Sequence, residues 1–201
     1  MRDIIFMSLK GEIKMTIVYG GSFNPPTKAH EEIIQLLDHQ FHPENILLIP
    51  VGDYYSWKNT LIPYVYRKEM LKRIIYSSHV KIMDIENTND FKGTYQTLRA
   101  LSHTYNDLYF VIGTDHVETM HLWKDYEKLL KEFSFIVIKR KDFHPNLEIF
   151  MKYQTKVQLI DFDSSISSSK IRANIHLHQN DLNASVYKYI LENNLYQEVS
   201  K

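Results

Sequence analysis

The chain has 201 residues, 44% of them apolar, with 24 basic side chains balancing 24 acidic ones and no cysteine. That length allows one domain with a full core, or one domain and a small appendage. The charge balance points to no general nucleic-acid or membrane-binding surface and leaves anion binding to a local site, and the lack of thiols excludes disulfides and cysteine chemistry.

No apolar run reaches bilayer-spanning length. The stretch "MRDIIFMSLKGEIKM" lacks the apolar core and small-residue cleavage site of a signal peptide, so a cytoplasmic location is expected. Met15 stands just before the first strand-like run. Residues 1–14 are expected to be an extension in front of a single domain over 15–201, with a C-terminal helical part from about 164 to 201.

In chain order, short β-branched runs alternate with amphipathic stretches of helical length. A strand over Thr16–Tyr19 passes through a turn into a helix over Lys28–Gln40. A strand at Ile46–Pro50 and a helix at Tyr64–Ser77 follow, then a strand at Val80–Asp84 and a helix at Thr94–Ser102. Next come a strand at Leu108–Ile112, a helix at Trp123–Lys131, a strand at Phe133–Ile138 and a helix at Leu147–Lys152. A strand at Val157–Ile160 and helices at Ser168–Asn174 and Ala184–Glu192 complete the pattern, with Asn193 and Asn194 suited to end the last helix. The strand runs are almost continuously apolar, as when both sheet faces are covered. Strands separated by helices imply right-handed crossovers and an α/β fold: a doubly wound parallel sheet with helices on both faces. Ligands of such sheets bind outside the carboxyl ends of the strands, where strand order reverses.

The turn after the first strand reads "GGSFNPPTKAH". Gly20 and Gly21 let the backbone bend and let a ligand approach without a Cβ in the way. Pro25 and Pro26 stiffen the turn. Thr27 and His30 share one face at the start of the next helix, whose free N–H groups favour an anion. A phosphate clamp and a plain capped connection are both compatible with these residues. Further on, "SSISSSKIR" leads three hydroxyls, Ser167, Ser168 and Ser169, into a helix carrying Lys170 and Arg172. That is a second phosphate-compatible end, or else a serine-rich surface loop.

The two segments together resemble the signatures of the nucleotidyltransferase superfamily marked by a His-or-Thr, any residue, Gly, His motif and by Ile-Ser-Ser-Thr-x-Ile-Arg. Gly20, Gly21, Phe23, Pro25, Thr27 and His30 match the first, while Asn24 replaces the usual Asp and Ala29 the usual Gly. "IGTDHVETMHLWKDYEKLL" resembles the Gly-x-Asp and Trp pattern of the nicotinate (nicotinamide) mononucleotide adenylyltransferases, and "KGTYQTLRAL" their Thr-x-Asp-Thr-Leu helix start, with Gln96 in place of Asp. The resemblance implies a Rossmann-like fold and adenylyl transfer from ATP to nicotinate mononucleotide, as in NAD biosynthesis. It implies catalytic roles for His30, Thr27 and Arg172. It implies ATP contacts from Gly20, Gly21, Ser22, Phe23, Gly113, Asp115, Ser167, Ser168 and Ser169, with Asp115 on the ribose hydroxyls. Acceptor contacts fall to Lys58, Thr94, Thr97 and Trp123, the indole stacking on the pyridine ring. Arg67, in "YRKEML", is expected to stabilise the fold or the site.

Mg²⁺ is expected to arrive with ATP rather than in a carboxylate cage of the protein. Partners implied are ATP and a pyridine mononucleotide, with no nucleic acid and no membrane, and a homodimer is compatible. Where the family often has Pro-Pro-His-Lys, this chain has "GDYYSWKN", which leaves Lys58 for the acceptor phosphate and adds Tyr54, Tyr55 and Trp57. Transfer to nicotinamide mononucleotide or to phosphopantetheine, and a non-catalytic nucleotide-binding regulator, stay open as alternatives. Lys139, Arg140 and Lys141 read as a solvated strand end, and His176 and His178 as a surface loop.

Overall fold

The computed structural model describes residues 15–54, 61–139 and 145–197. Six strands form one sheet: β1 (Thr16–Gly21), β2 (Asn45–Pro50), β3 (Val80–Ile82), β4 (Leu108–Gly113), β5 (Ser134–Lys139) and β6 (Val157–Asp161). Their order is β3-β2-β1-β4-β5-β6, and every neighbouring pair is parallel. The direction of winding therefore reverses between β1 and β4, where Thr16 pairs with Leu108 and Tyr19 with Val111.

Side chains alternate across each strand and feed two cores. Ile17 and Tyr19 join one, with residues of α1 (Lys28–Phe41), α2 (Tyr64–Lys72), α7 (Ser168–Ala173) and α8 (Ala184–Glu192). Val18 joins the other, with residues of α3 (Thr94–Leu101), α4 (Thr114–Thr119), α5 (Tyr126–Glu132) and α6 (Glu148–Lys152). Both faces are covered, which is why the inner strands β1, β2, β4 and β5 are almost continuously apolar. Among the described residues no helix is long and apolar enough to cross a membrane.

Local chemistry sets the element ends. Thr27 is extended at φ −118°, ψ 170° and starts α1; His42 ends it in the left-handed region at φ 45°. α3 starts from Gly93 at φ +107°, a conformation that glycine adopts without strain. Two expected helices differ from the structure. The stretch to Ser77 is helical only to Lys72, after which Ile74 stays buried in a turn. The expected helix over Trp123–Lys131 starts at Tyr126, because Trp123 is extended at ψ 142° and Asp125 takes φ 56°. α4 and a short 3-10 turn at Met120–Leu122 occupy a segment for which the sequence pattern names no element.

Candidate active site

The cleft sits at the carboxyl ends of β1 and β4, where the winding reverses. It has two chambers that share a wall of Gly20, Gly21, Val111, Ile112 and His116. One chamber, of about 330 Å³, is lined by Tyr19, Thr27, His30, Asp115, Ser164 and Ser168 among others. The other, of about 460 Å³, is more apolar and is walled by Phe91, Phe110 and Trp123, with Thr94, Glu86 and Lys124 at its polar side. A wider groove of about 600 Å³ runs beside α1. It is polar, and Asn183 bridges it to both Glu31 carboxylate oxygens, so the chemistry is better sought at the strand ends.

His30 stands one turn into α1. Its Nδ1 accepts the backbone N–H of Thr27 at 3.0 Å and lies 2.8 Å from the Thr27 hydroxyl. An imidazole nitrogen that accepts an N–H carries no proton, so the neutral ring holds its proton on Nε2. Burial pulls the His30 pKa down from 6.5 to about 4. Near neutral pH the ring is thus an uncharged donor with a fixed tautomer. The same contact is one half of a capping box in which histidine replaces the usual Glu or Gln.

The turn between β1 and α1 is held from several sides. The Phe23 ring lies beneath Gly21, 3.1 Å from where a Cβ would stand. Arg67, fully buried, donates to the carbonyls of Ser22 at 3.1 Å and Ile62 at 2.9 Å and pairs with Asp53 at 3.1 Å. Asp53 also accepts the Tyr64 N–H at the start of α2, at 2.7 Å. The Asn24 side-chain oxygen accepts the Tyr196 hydroxyl at 2.8 Å, and its carbonyl accepts Arg172 at 2.7 Å. Ser168 donates to the Pro25 carbonyl at 3.0 Å. The two hydroxyl-and-cation segments therefore meet directly, although 143 residues separate Ser168 from Pro25.

The expected site residues divide into two groups. Gly20, Gly21, Thr27, His30, Gly113, Asp115 and Ser168 line the smaller chamber, and Thr94 and Trp123 line the larger one. Gly113 leaves room for its neighbour: a Cβ there would stand 2.6 Å from Asp115 Oδ1. Trp123 meets Phe110 and His116 edge to face, at 6.3 and 5.6 Å. Thr97 is not brought to either chamber; it is buried and donates to Glu86 Oε1 at 3.0 Å, fixing that carboxylate. Ser22 and Phe23 support the turn, Ser167 precedes α7, and Ser169 accepts from Arg172 at 3.1 Å. Arg172 itself does not line the chamber; two of its nitrogens hold Asn24 and Ser169. Lys58, Tyr55, Trp57, Arg140, Lys141 and residues 1–14 lie outside the described residues.

Tyr19, Ser164, His116, Lys124 and Glu86 line the cleft without having been singled out in the sequence. Tyr19 adjoins Gly20 and Lys124 follows Trp123, so nearness to a motif was the only signal for them.

The cytidylyltransferase-like family model matches residues 18–174. A probable nicotinate-nucleotide adenylyltransferase of Acholeplasma laidlawii is 46% identical over 186 residues, 92% of this chain and 99% of that protein. One from Fusobacterium nucleatum is 32% identical, over 86% of this chain and 93% of that protein. Among solved structures, Plasmodium falciparum nicotinic acid mononucleotide adenylyltransferase complexed with NaAD is similar at a TM-score of 0.73 and 28% identity, covering 91% of this chain and 97% of that one. The same protein complexed with APC gives 0.74 at 26% identity, with the same coverage.

Proposed function

Because the chain belongs to the cytidylyltransferase-like family, among its nicotinate-nucleotide adenylyltransferases, we propose that it transfers the adenylyl group of ATP to nicotinate mononucleotide. The products are nicotinate adenine dinucleotide and pyrophosphate, a step of NAD biosynthesis. The observation that carries this reading is the pair of chambers meeting at Gly20 and Gly21. A nucleotide in the smaller and a pyridine nucleotide in the larger would bring their phosphates together beside Gly20 and Gly21, the part of the shared wall that carries no side chain.

The acceptor is a phosphate monoester, mostly dianionic at neutral pH because its second pKa is about 6. One of its oxygens attacks the α-phosphorus in line. The new P–O bond forms as the bond to the β-phosphate oxygen breaks, and the electron pair leaves with pyrophosphate. No general base is needed. The protein's work is alignment and stabilisation of charge on the phosphoryl oxygens.

His30 fits this as a donor through Nε2–H, held by Thr27 and uncharged at working pH. Asp115 faces the ribose hydroxyls, and Ser168 holds the turn on the triphosphate side through its bond to the Pro25 carbonyl. Arg172 acts first by fixing the loop through Asn24, with its remaining N–H groups available to phosphate. Lys58 is proposed for the acceptor phosphate. Mg²⁺ enters as part of the substrate, on the triphosphate; among the described residues no group of three or more His, Cys, Asp or Glu is placed to hold a metal ion.

In the larger chamber Trp123 and Phe110 offer faces and edges to a pyridine ring. The N–H groups opening α3 at Thr94, together with Lys124, offer positive charge to a ring carboxylate. Lys124 has no ion pair among the described residues, and its stem packs over Gly93, 3.4 Å from where a Cβ would stand. That arrangement favours the acid over the amide. The test is pyrophosphate release from MgATP with nicotinate mononucleotide, nicotinamide mononucleotide or phosphopantetheine. The nicotinate substrate is expected to be fastest. Absence of release with either pyridine nucleotide would overturn the reading.

A further inference from the structure

Tyr19, on β1, is 9% exposed and lines the nucleotide chamber. Three other buried or partly buried tyrosines have acceptors in the protein. Tyr64 donates to Asp84 at 2.6 Å, Tyr95 to Glu132 at 2.8 Å and Tyr196 to Asn24 at 2.8 Å. Tyr19 has ring neighbours only, Phe23 at 5.5 Å and His30 at 6.4 Å, and no hydrogen-bond partner among the described residues. No side-chain oxygen described is both sealed from solvent and without a partner. The Tyr19 hydroxyl therefore reaches open space, and the space its side chain lines is the chamber.

A phenylalanine would pack here as well, without a hydroxyl that depends on the chamber's contents for a partner. Burial pushes the phenol pKa well above its usual value, so the group keeps its proton at any working pH and can donate to an anion. Its ring lies 6.4 Å from that of His30, and both residues line the same chamber.

We propose that the Tyr19 hydroxyl is a second uncharged hydrogen-bond donor to the triphosphate, working beside His30 Nε2–H. The identity of the polyanion rests on the adenylyl-transfer reading; the existence of a donor site for one does not. Two neutral donors orient phosphate oxygens without adding the positive charge that would retain pyrophosphate.

The test is Tyr19→Phe in the full chain, read by equilibrium binding of an ATP analogue with a methylene bridge between the α- and β-phosphorus, and by steady-state kinetics. The expected result is a ten- to hundredfold weaker analogue, the range for a lost hydrogen bond to a charged group. The nicotinate mononucleotide KM should stay within about twofold, and the melting temperature should hold or rise. Analogue affinity within twofold of the parent overturns the proposal. So does an equal loss for both substrates with a lower melting temperature, which marks a packing role. If the parent protein releases no pyrophosphate at all, the adenylyl-transfer reading fails, while the binding comparison still decides the role of Tyr19.

Discussion

His30 has two duties that substitution can separate. It accepts the Thr27 N–H at the start of α1, and it presents Nε2–H to the chamber. His30→Ala removes both: turnover is expected to fall by orders of magnitude and stability by about 1 kcal/mol, the usual worth of a helix cap. Glutamine at this position restores the capping box, so His30→Gln is expected to recover most of the melting temperature and little of the rate. Acid titration of stability adds a second readout. The unfolded ring takes a proton below about pH 6.5, whereas the folded ring resists until about pH 4. Between those values the unfolded state binds more protons, so the parent loses stability as pH falls through the window, by at most about 3 kcal/mol. Both variants should lack that component when melting is followed across pH 4 to 7. At the residue scale, Gly20, Thr27 and His30, where a motif forces the geometry, line the cleft. Thr97 does not, because periodicity cannot tell a helix position facing the cleft from one facing a buried acid such as Glu86.

Among the elements, the connection from β1 to α1 carries two prolines, which donate no backbone hydrogen bond. Arg67 on α2 supports it from below, through Ser22, Ile62 and Asp53. Arg67→Leu keeps the bulk and removes the donors. It removes one donor from each of two carbonyls and breaks the ion pair of Asp53, whose side chain is 43% exposed and so stays partly hydrated. The expected cost is about 3 kcal/mol, measured by urea unfolding, with a fall in kcat/KM for ATP because the loop beside His30 loosens. The sequence placed α1 and α3 closely because a capping threonine and a glycine mark their starts. It ran the helix at Trp123 too early because no glycine or proline interrupts 114–132. The break comes instead from Asp125, whose short polar side chain tolerates the left-handed region. The helix from Tyr64 was drawn too long because Ile74 is buried from a turn, and an apolar pattern does not record which backbone carries it.

Across the whole molecule, the alternation of strands and helices made a parallel, doubly covered sheet legible. The strand order was not legible in that pattern, and it is the order that creates the cleft between β1 and β4. A ligand there touches both halves of the sheet, so it should protect the fold as a unit. Saturation with MgATP at about a hundred times its dissociation constant is expected to add about 2.7 kcal/mol, seen as a higher melting temperature in differential scanning calorimetry. Tyr19→Phe and His30→Ala should each reduce that gain. The hydrogen bond from Tyr196 to Asn24 closes a span of 172 residues. A growing polypeptide emerging from the ribosome cannot make this bond until residue 196 has cleared the exit tunnel. The turn that carries Asn24 therefore lacks this tie in any fragment that stops short of Tyr196.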